Sequence, residues 1–270
     1  MILPLSLENV TLEIDGTPLV KDVSCTFEAG ARTMILGANG AGKSLLLRLC
    51  HGLLKPTTGS VHWHGALGRD PARFQAMVFQ RPVMLRRTVA ANIAYALKLK
   101  DIAKADRPAL IEEALSHTGL LRLADTPARV LSSGEQQKLA LARAWALNPE
   151  VLFLDEPTAN LDPAATYAVE TIINAIDAAG TRIVMTTHDL SQARRLADEV
   201  LFLHRGRLVE QASADKFFDN PDNDIAKEFI KGDLMWWRHG RNVRAPGEAR
   251  LPPRHRRVRG GGAKPKRNKS

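Results

Sequence analysis

The sequence contains only two cysteines, Cys25 and Cys50, and no apolar run long enough to cross a bilayer. Two cysteines exclude a disulfide-built fold, and neither has a second ligand at metal-binding spacing, which argues against a zinc site. We therefore expect a protein of a reducing compartment. The amino terminus lacks a basic segment followed by a long apolar stretch, so we expect neither a secretory signal nor a membrane-spanning helix.

The positive charge of the chain is concentrated at its carboxyl end. The 270 residues carry a net charge of +9, but positions 238–270 hold 12 basic residues and one acidic residue. Positions 1–237 hold 26 basic and 28 acidic residues and are close to neutral. With 44% hydrophobic residues the chain has ample material for a buried core. Positive charge therefore favours nucleic-acid binding only in the tail, and the function of the nearly neutral body is indicated by its motifs.

Hydrophobic patterning along the body predicts strands that alternate with helices. The predicted strands are residues 3–12, 21–27, 32–36, 75–80, 151–154, 182–186, 200–204 and 207–211, the first two flanking a turn at Asp15-Gly16. The predicted helices are residues 45–54, 89–99, 109–121, 133–147, 163–179 and 225–231. Glycine, proline and arginine dominate after residue 235, so we expect residues 236–270 to be disordered.

Residues 37–44 read Gly-Ala-Asn-Gly-Ala-Gly-Lys-Ser between a predicted strand and a predicted helix, which is the pattern and context of a phosphate-binding loop. The glycines allow successive backbone N–H groups to face a triphosphate, Lys43 supplies a positive charge and Ser44 a ligand for Mg²⁺. A flexible glycine loop without a ligand is the alternative interpretation. The predicted nucleotide-binding residues here are Gly37, Asn39, Gly40, Ala41, Gly42, Lys43, Ser44 and Leu45.

Residues 151–157 read Val-Leu-Phe-Leu-Asp-Glu-Pro, an apolar run that ends in two acids. A buried parallel strand with this sequence would place both acids at the edge of the sheet where ligands bind. We predict that Asp155 holds Mg²⁺ through water and that Glu156 polarises the water that attacks the terminal phosphate. The alternative is that both acids only cap the turn at Pro157.

A further motif, Leu131-Ser132-Ser133-Gly134-Glu135, begins a predicted helix and by itself is only a good helix cap. Placed before the acidic strand, it resembles the signature motif of ABC transporter ATPases. The other motifs of that family are present in the same order: a glutamine loop at Gln80, an aspartate loop at residues 160–162 and a switch histidine at His188. The resemblance covers about residues 3–235, and no single motif carries it alone.

The resemblance implies an α/β fold with a RecA-like P-loop NTPase core, an N-terminal antiparallel β subdomain and an inserted α-helical subdomain at about residues 82–147. It implies hydrolysis of ATP with Mg²⁺ as cofactor. Gln80 would contact Mg²⁺ and the attacking water, and His188 would contact the γ-phosphate, although either residue alone is more often structural. A homodimer would be required, because the residues that act across its interface on the partner's nucleotide would be Ser132, Ser133, Gly134 and Asp162.

Three residues depart from the usual pattern of that family. Ile14 stands where an aromatic residue commonly stacks on adenine, which predicts weaker selectivity for the base. Ser133 replaces a glycine, and its side chain would crowd the facing phosphate if the backbone required a positive φ. Glu135 replaces a glutamine and would lower nucleotide affinity unless it points away. We therefore expect modest turnover.

Residues 79–93, 185–190 and 200–206 resemble the ATP-binding subunits of bacterial tungstate importers, with phosphate and molybdate importers as alternatives. Such a subunit would sit on the cytoplasmic face of the cell membrane, with an integral membrane permease docked at about residues 82–100. Its other partner would be a periplasmic or extracellular oxyanion-binding protein. The lack of a regulatory domain after residue 235 argues against sugar importers and the longer molybdate importers.

The basic tail has three interpretations: solvated disorder, contact with anionic lipid, or contact with RNA. Two other classes of ATPase are alternatives for the body. A DNA-repair or chromosome-organising ATPase would separate the phosphate loop from the signature by a long coiled coil, but only 87 residues lie between Ser44 and Ser132. A ribosome-acting ATPase would carry two cassettes. We therefore expect no nucleic-acid partner.

Overall fold

Two β-sheets organise residues 1–232, the part of the chain that the computed structural model describes; the predicted tail of residues 236–270 lies outside it. The strands are β1 (Leu5–Ile14), β2 (Thr17–Phe27), β3 (Thr33–Leu36), β4 (Thr58–Trp63), β5 (Gln75–Val78), β6 (Val151–Asp155), β7 (Arg182–Thr187), β8 (Glu199–His204) and β9 (Arg207–Ser213). The helices are α1 (Lys43–His51), α2 (Val89–Leu99), α3 (Arg107–His117), α4 (Ser133–Trp145), α5 (Pro163–Ala178), α6 (Leu190–Leu196), α7 (Ala214–Asp219) and α8 (Asp224–Ile230).

The smaller sheet is antiparallel and has the strand order β2-β1-β4. β1 and β2 form the predicted hairpin, and Ile14 pairs with Thr17 across the turn. Asp15 and Gly16 between them have φ values of 49° and 73°. Positive φ at both central residues is the geometry that matches the twist of a two-residue hairpin, which is why an Asp-Gly pair is favoured there.

The larger sheet has the order β5-β6-β7-β3-β8-β9, with β9 antiparallel to β8 and the other neighbours parallel. Helices cover both of its faces, so its strands are apolar on both sides. In β6, Leu152 and Leu154 join the core that includes residues of α2 to α5, whereas Val151 and Phe153 join the core against α1 and the smaller sheet. The period of two along each strand thus divides the interior into two cores.

The helices α2, α3 and α4 follow one another between β5 and β6 and lie in the region predicted to be helical. Within residues 1–232, no helix is long and apolar enough to span a membrane. The mixed α/β architecture predicted from the sequence is therefore the one observed, with an antiparallel N-terminal sheet beside a mainly parallel one.

Three of the observed strands and helices were not predicted from the sequence: β4, α6 and α7. β4 contains Gly59, and its side chains are exposed or half-buried, so it lacks the apolar alternation that marks a strand. α6 and α7 span only seven and six residues, less than two helical turns. The helix after the glycine-rich loop, expected to begin near Lys43 and to carry the leucine pattern of residues 45–54, begins at Lys43.

Candidate nucleotide-binding site

The glycine-rich loop connects β3 to α1, and its shape depends on residues without side chains. A Cβ atom at Gly37 would lie 2.3 Å from the carbonyl oxygen of Leu203 in β8. Gly42 is the N-cap of α1 and has a φ of 101°, a left-handed conformation that other residues rarely adopt. The loop therefore ends with the positive N-terminal end of a helix directed at the site, as an anion-binding loop requires.

A cavity of about 810 Å³ lies over this loop, at the carboxyl ends of β3, β6 and β7. That is the edge at which parallel sheets bind ligands. The cavity brings together ten residues of the predicted site: Asn39, Gly40, Ala41, Gly42, Lys43, Ser44, Leu45, Gln80, Glu156 and His188. The residues predicted to act across a dimer interface, Ser132, Ser133, Gly134 and Asp162, do not line it.

Lys43 is 4% exposed, and its ammonium group is held among oxygens at the base of the cavity. Nζ donates to the carbonyl oxygens of Gly37, at 2.9 Å, and Ala38, at 3.3 Å. It also forms an ion pair with Oε1 of Glu156 at 3.1 Å. The lysine thus connects the loop to the second acid of the strand.

Ser44 and Asp155 are in direct contact, which joins the loop to β6. The Ser44 hydroxyl donates to Oδ1 of Asp155 at 2.7 Å, and the carboxylate is buried. Thr186 in β7 is fully buried and donates its hydroxyl to the same Oδ1 at 2.9 Å. The Thr186 oxygen also accepts the backbone N–H of Glu156 at 2.9 Å. One threonine therefore orients both acids, and sequence reasoning missed it.

The side chain of Glu156 lies among three polar groups. Besides Lys43, its Oε2 atom is 3.1 Å from Nδ1 of His188 and 3.5 Å from Nε2 of Gln80. Its backbone has a φ of 43°, which is uncommon for a residue with a side chain and is typical of functional sites. The structure therefore brings the three predicted catalytic residues together around one carboxylate.

The signature segment forms the amino terminus of α4, away from this cavity. Ser132 and Glu135 form a capping box: the Ser132 backbone N–H and hydroxyl donate to Oε2 of Glu135 at 2.8 and 2.7 Å. The hydroxyl of Ser132 also accepts the Glu135 N–H at 3.3 Å. These hydrogen bonds from Ser132 hold the pKa of Glu135 below its usual range. The acid that replaces the usual glutamine is thus directed back at the helix cap.

Ser133, Gly134 and Asp162, also predicted to act across a dimer interface, have structural roles within their own chain. Ser133 is exposed and begins α4; it is not among the residues with positive φ, so the crowding expected from its side chain does not arise from backbone conformation. A Cβ atom at Gly134 would lie 2.9 Å from the Cβ atom of Ala165, so this glycine permits close packing of α4 against α5. Asp162 is the N-cap of α5 and accepts the Ala165 N–H at 2.8 Å.

Sequence reasoning also missed several cavity residues. They are Leu19 in β2, Thr158 and Thr166 after the acidic strand, and Thr187 and Asp189 beside the switch histidine. The threonines directly follow or lie near predicted site residues, which was the available signal. Leu19 carried none, because the hairpin reaches the site only in the folded chain.

A second, shallower groove of about 360 Å³ lies between α2, α4 and the segment after β5. It is mostly apolar, and Val83 and Leu99 on its wall are 73% and 65% exposed. The Val83 segment is fixed from both sides: Nη1 of Arg143 donates to the Val83 carbonyl at 2.8 Å, and buried Asn92 accepts the Leu85 N–H at 3.0 Å. This apolar surface is therefore shaped before any partner binds.

The protein-family model described as ABC transporter matches residues 20–159, which include the glycine-rich loop, the signature segment and both acids. The chain belongs to the ABC transporter family. It is an ATP-binding and ATP-hydrolysing subunit of the importer type, as the resemblance predicted, and the α/β fold class is confirmed.

Relatives of this ABC ATPase include import subunits with different cargoes. It is 39% identical over 215 residues to the tungstate uptake system ATP-binding protein TupC of Peptoclostridium acidaminophilum, covering 79% of this chain and 99% of TupC. It is 33% identical to the phosphate import ATP-binding protein PstB 2 of Natronomonas pharaonis, covering 86% and 88%. It is 38% identical to the methionine import ATP-binding protein MetN of Caulobacter vibrioides, covering 80% and 68%.

Solved structures agree with this assignment. The structure of an ATP binding subunit of an ABC transporter superposes with a TM-score of 0.73 at 25% identity, covering 85% of this chain and 99% of that one. CbiO1 from Clostridium perfringens, part of the ABC transporter complex cbiONQ, superposes with a TM-score of 0.71 at 27% identity, covering 86% and 98%. The ABC ATPase fold thus extends over most of the chain.

Proposed function

We propose that this ABC ATPase energises the uptake of an oxyanion, tungstate, through a separate membrane permease. The observation that carries the choice of cargo is the 39% identity to TupC, which extends over 99% of that protein. The 33% identity to a phosphate importer supports the same chemical class, because phosphate is also a tetrahedral oxyanion. The alternative cargoes are phosphate, molybdate or another small solute, and the 38% identity to a methionine importer supports the last of these.

Within the proposed reaction, Glu156 orients the attacking water and accepts its proton. Its carboxylate lies 3.1 Å from Nδ1 of His188 and 3.5 Å from Nε2 of Gln80, so a water held there would have donors and acceptors around it. Lys43 and the loop N–H groups are proposed to bind the phosphates of ATP. Phosphoryl transfer to water is catalysed mainly by positioning the attacking water and by stabilising the charge on the phosphates, which these residues would do.

The residues at the end of β6 fit a Mg²⁺ ion. Ser44 and Asp155 offer a hydroxyl and a carboxylate oxygen 2.7 Å apart, and hard oxygen donors are the ligands that Mg²⁺ prefers. Such sites use few protein ligands and complete the coordination with water and phosphate oxygens. We propose Ser44 as a direct ligand, Asp155 as a ligand through water and Gln80 as a third contact, and the ion would neutralise charge on the phosphates.

A homodimer completes the proposed site. Ser132, Ser133, Gly134 and Asp162 do not line the cavity of their own chain. Ser132 and Ser133 are exposed at the positive N-terminal end of α4, where an anion is favourably bound. We propose that this end of α4 contacts the γ-phosphate held by a second copy of the chain and that Asp162 touches the partner across the same interface.

The apolar groove beside α2 is the proposed docking surface for the permease. Its wall is formed by residues within 82–100, by residues 76–79 at β5, by α4 and by Leu147, and it exposes Val83 and Leu99. We propose domains at residues 1–235 for the ATPase, with its helical subdomain at about 82–147, and at 236–270 for the tail. The protein would then be peripheral on the cytoplasmic face of the cell membrane, where 12 basic residues favour contact with anionic lipid.

The catalytic proposal is tested by Glu156→Gln. The variant should lose at least about 100-fold in kcat while it still binds ATP and dimerises in its presence, because the general base is removed and the phosphate contacts stay. Glu150→Gln is the matched control, since Glu150 precedes the same strand at its opposite end and pairs with Arg69. Hydrolysis near the wild-type rate by Glu156→Gln would contradict the assignment.

The transport proposal is tested by mild solubilisation of membranes that contain the tagged chain, followed by mass spectrometry. Co-purification of a multi-spanning permease and an oxyanion-binding protein is expected, and titration of that binding protein with tungstate, molybdate and phosphate identifies the cargo. Val83→Asp should release the permease, whereas Leu67→Asp, at a 90% exposed position outside the groove, should not. Recovery of ribosomes or nucleic acid instead would contradict the transport proposal.

A further inference from the structure

A buried glutamine in α6 connects three elements around the catalytic residues. Gln192 is 2% exposed, and its Nε2 atom makes two hydrogen bonds. It donates to Oγ1 of Thr158 at 2.8 Å and to Oε1 of Glu170 at 2.9 Å. Because an amide nitrogen has two hydrogens, both donors of Gln192 are used, one toward each neighbouring element.

Glu170 is the fixed end of this arrangement. It lies in α5, is 7% exposed and accepts a second hydrogen bond from Nη2 of Arg195 at 2.8 Å. A buried carboxylate is costly unless donors compensate for its lost hydration. The amide of Gln192 and the guanidinium of Arg195 supply them, so α6 is tied to α5 by two side chains spaced three residues apart.

Two of the three joined elements lie beside predicted catalytic residues, and the third, α5, anchors them. Thr158 follows Glu156 by two residues and lines the nucleotide cavity. α6 begins directly after His188, with Asp189 as its N-cap accepting the Ser191 and Gln192 N–H groups at 2.8 and 3.1 Å. α5 is the helix capped by Asp162. A change in the Gln192 contacts would therefore shift the histidine segment relative to the acidic loop.

We propose that Gln192, anchored by Glu170, is a positioning residue that fixes His188 against Glu156. The His188 side chain is 49% exposed, and its contact with Oε2 of Glu156 at 3.1 Å therefore depends on the backbone that carries the ring. Displacements of about 1 Å in reacting groups cost about 100-fold in rate. The inference rests on the proposed roles of His188 and Glu156 and adds the group that sets their separation.

The first test is Gln192→Leu, compared with Gln75→Leu as a matched control. Gln75 is also buried, at 5% exposure, and donates through Nε2 to the His51 carbonyl at 2.9 Å, but it has no contact with the switch segment. We expect Gln192→Leu to lower kcat at saturating ATP by about ten-fold or more, with KM for ATP changed less than about two-fold. Gln75→Leu should keep kcat within about two-fold at a comparable loss of thermal stability.

The second test exchanges the amide of Gln192 and the carboxylate of Glu170 between the two positions. Gln192→Glu alone places two carboxylates together and should lower kcat at least as far as Gln192→Leu. The double variant Gln192→Glu/Glu170→Gln restores one carboxylate and one amide, with Thr158 free to donate its hydroxyl to the new acid. It should recover at least about half of the lost log kcat, an effect that independent packing defects would not produce.

Two results would overturn the inference. One is a kcat for Gln192→Leu within about two-fold of wild type, and the other is an equal fall in kcat for both glutamine variants at equal stability. The Glu156→Gln assay separates these results from a failure of the catalytic proposal. If Glu156→Gln is inactive and Gln192→Leu is fully active, only the positioning role is wrong; if Glu156→Gln stays active, the catalytic assignment fails and takes the positioning role with it.

Discussion

Thr186 gives the sharpest test of how the two acids are held. Its fully buried hydroxyl donates to Oδ1 of Asp155 and accepts the backbone N–H of Glu156, each at 2.9 Å. Thr186→Val keeps the shape of the side chain and removes both hydrogen bonds. The Glu156 N–H then loses this acceptor, whereas the carboxylate of Asp155 keeps its donor from Ser44.

The magnitude follows from the two hydrogen bonds that are lost. A buried N–H without a partner costs about 1–3 kcal/mol; the Glu156 N–H is only partly buried, but buried Asp155 also loses a donor, so we expect the free energy of unfolding to fall by about 2 kcal/mol. For a domain of this size that lowers Tm by about 4–8 °C. Because Glu156 has an unfavourable φ of 43°, loss of the bond that holds its backbone should also release the carboxylate from its position. We expect kcat to fall about ten-fold or more.

Thr33→Val is the matched control. Thr33 is also fully buried, in β3, and its hydroxyl donates to Oε2 of Glu199 at 2.9 Å and accepts Nη2 of Arg182 at 2.6 Å. It stands at the opposite end of the sheet from the cavity. Phosphate release at saturating ATP and thermal unfolding would be measured for both variants. Equal kcat for the two at similar stability would refute the claim that Thr186 orients the acids.

Three further results are expected. Ser132→Ala should cost about 1 kcal/mol of stability at pH 7, because the Ser132 hydroxyl accepts the Glu135 N–H and donates to the Glu135 carboxylate. Since Ser132 holds the pKa of Glu135 below its ordinary 4.5, the part that depends on the carboxylate is complete above pH 4.5 and lost as the pH falls through the lower folded pKa, so the difference from wild type should shrink in acid unfolding curves. Burial raises the pKa of Cys25 to about 12 and that of Cys50 well above its usual range, so a thiol reagent at pH 8 should label both only after denaturation; rapid labelling of the native protein would contradict this. Ile14→Tyr should lower KM for ATP about three- to ten-fold, because the tyrosine ring would stack on the base. An unchanged KM would mean that residue 14 does not contact the base.

Sequence patterns predicted the loop and the acids of the candidate site, but not the buried residues that hydrogen-bond to these segments. The loop of residues 37–44 and the acids of residues 155–156 are local patterns, because the residues of each pattern are neighbours along the chain. Thr186 binds Asp155 from 31 residues away in the sequence, and Gln192 binds Thr158, beside the acids, from 34 residues away. A single polar residue in a buried strand or short helix has no local signature, so reasoning from the sequence could not single them out.

The ends of helices and strands also divide into those that local residues predict and those whose contacts depend on the fold. The hairpin turn at Asp15-Gly16 and the cap of α4 at Ser132 were predictable, since both depend on side chains or φ values within four residues. The close packing of the α1 N-cap, Gly42, against Leu19 of the hairpin was not predictable, because it depends on which elements become neighbours in the fold.

The family, the phosphate loop, the two acids and the excess charge of the tail follow from the amino-acid sequence alone, because each depends on residue identity and short spacing. Three features follow only from the folded chain: Glu135 turns back to its helix cap, Gly134 permits the packing of α4 on α5, and Thr186 and Gln192 bond to the segments around the two acids. These facts depend on which strands and helices become neighbours. That arrangement is fixed by burial of two apolar cores over the whole chain rather than by any local pattern.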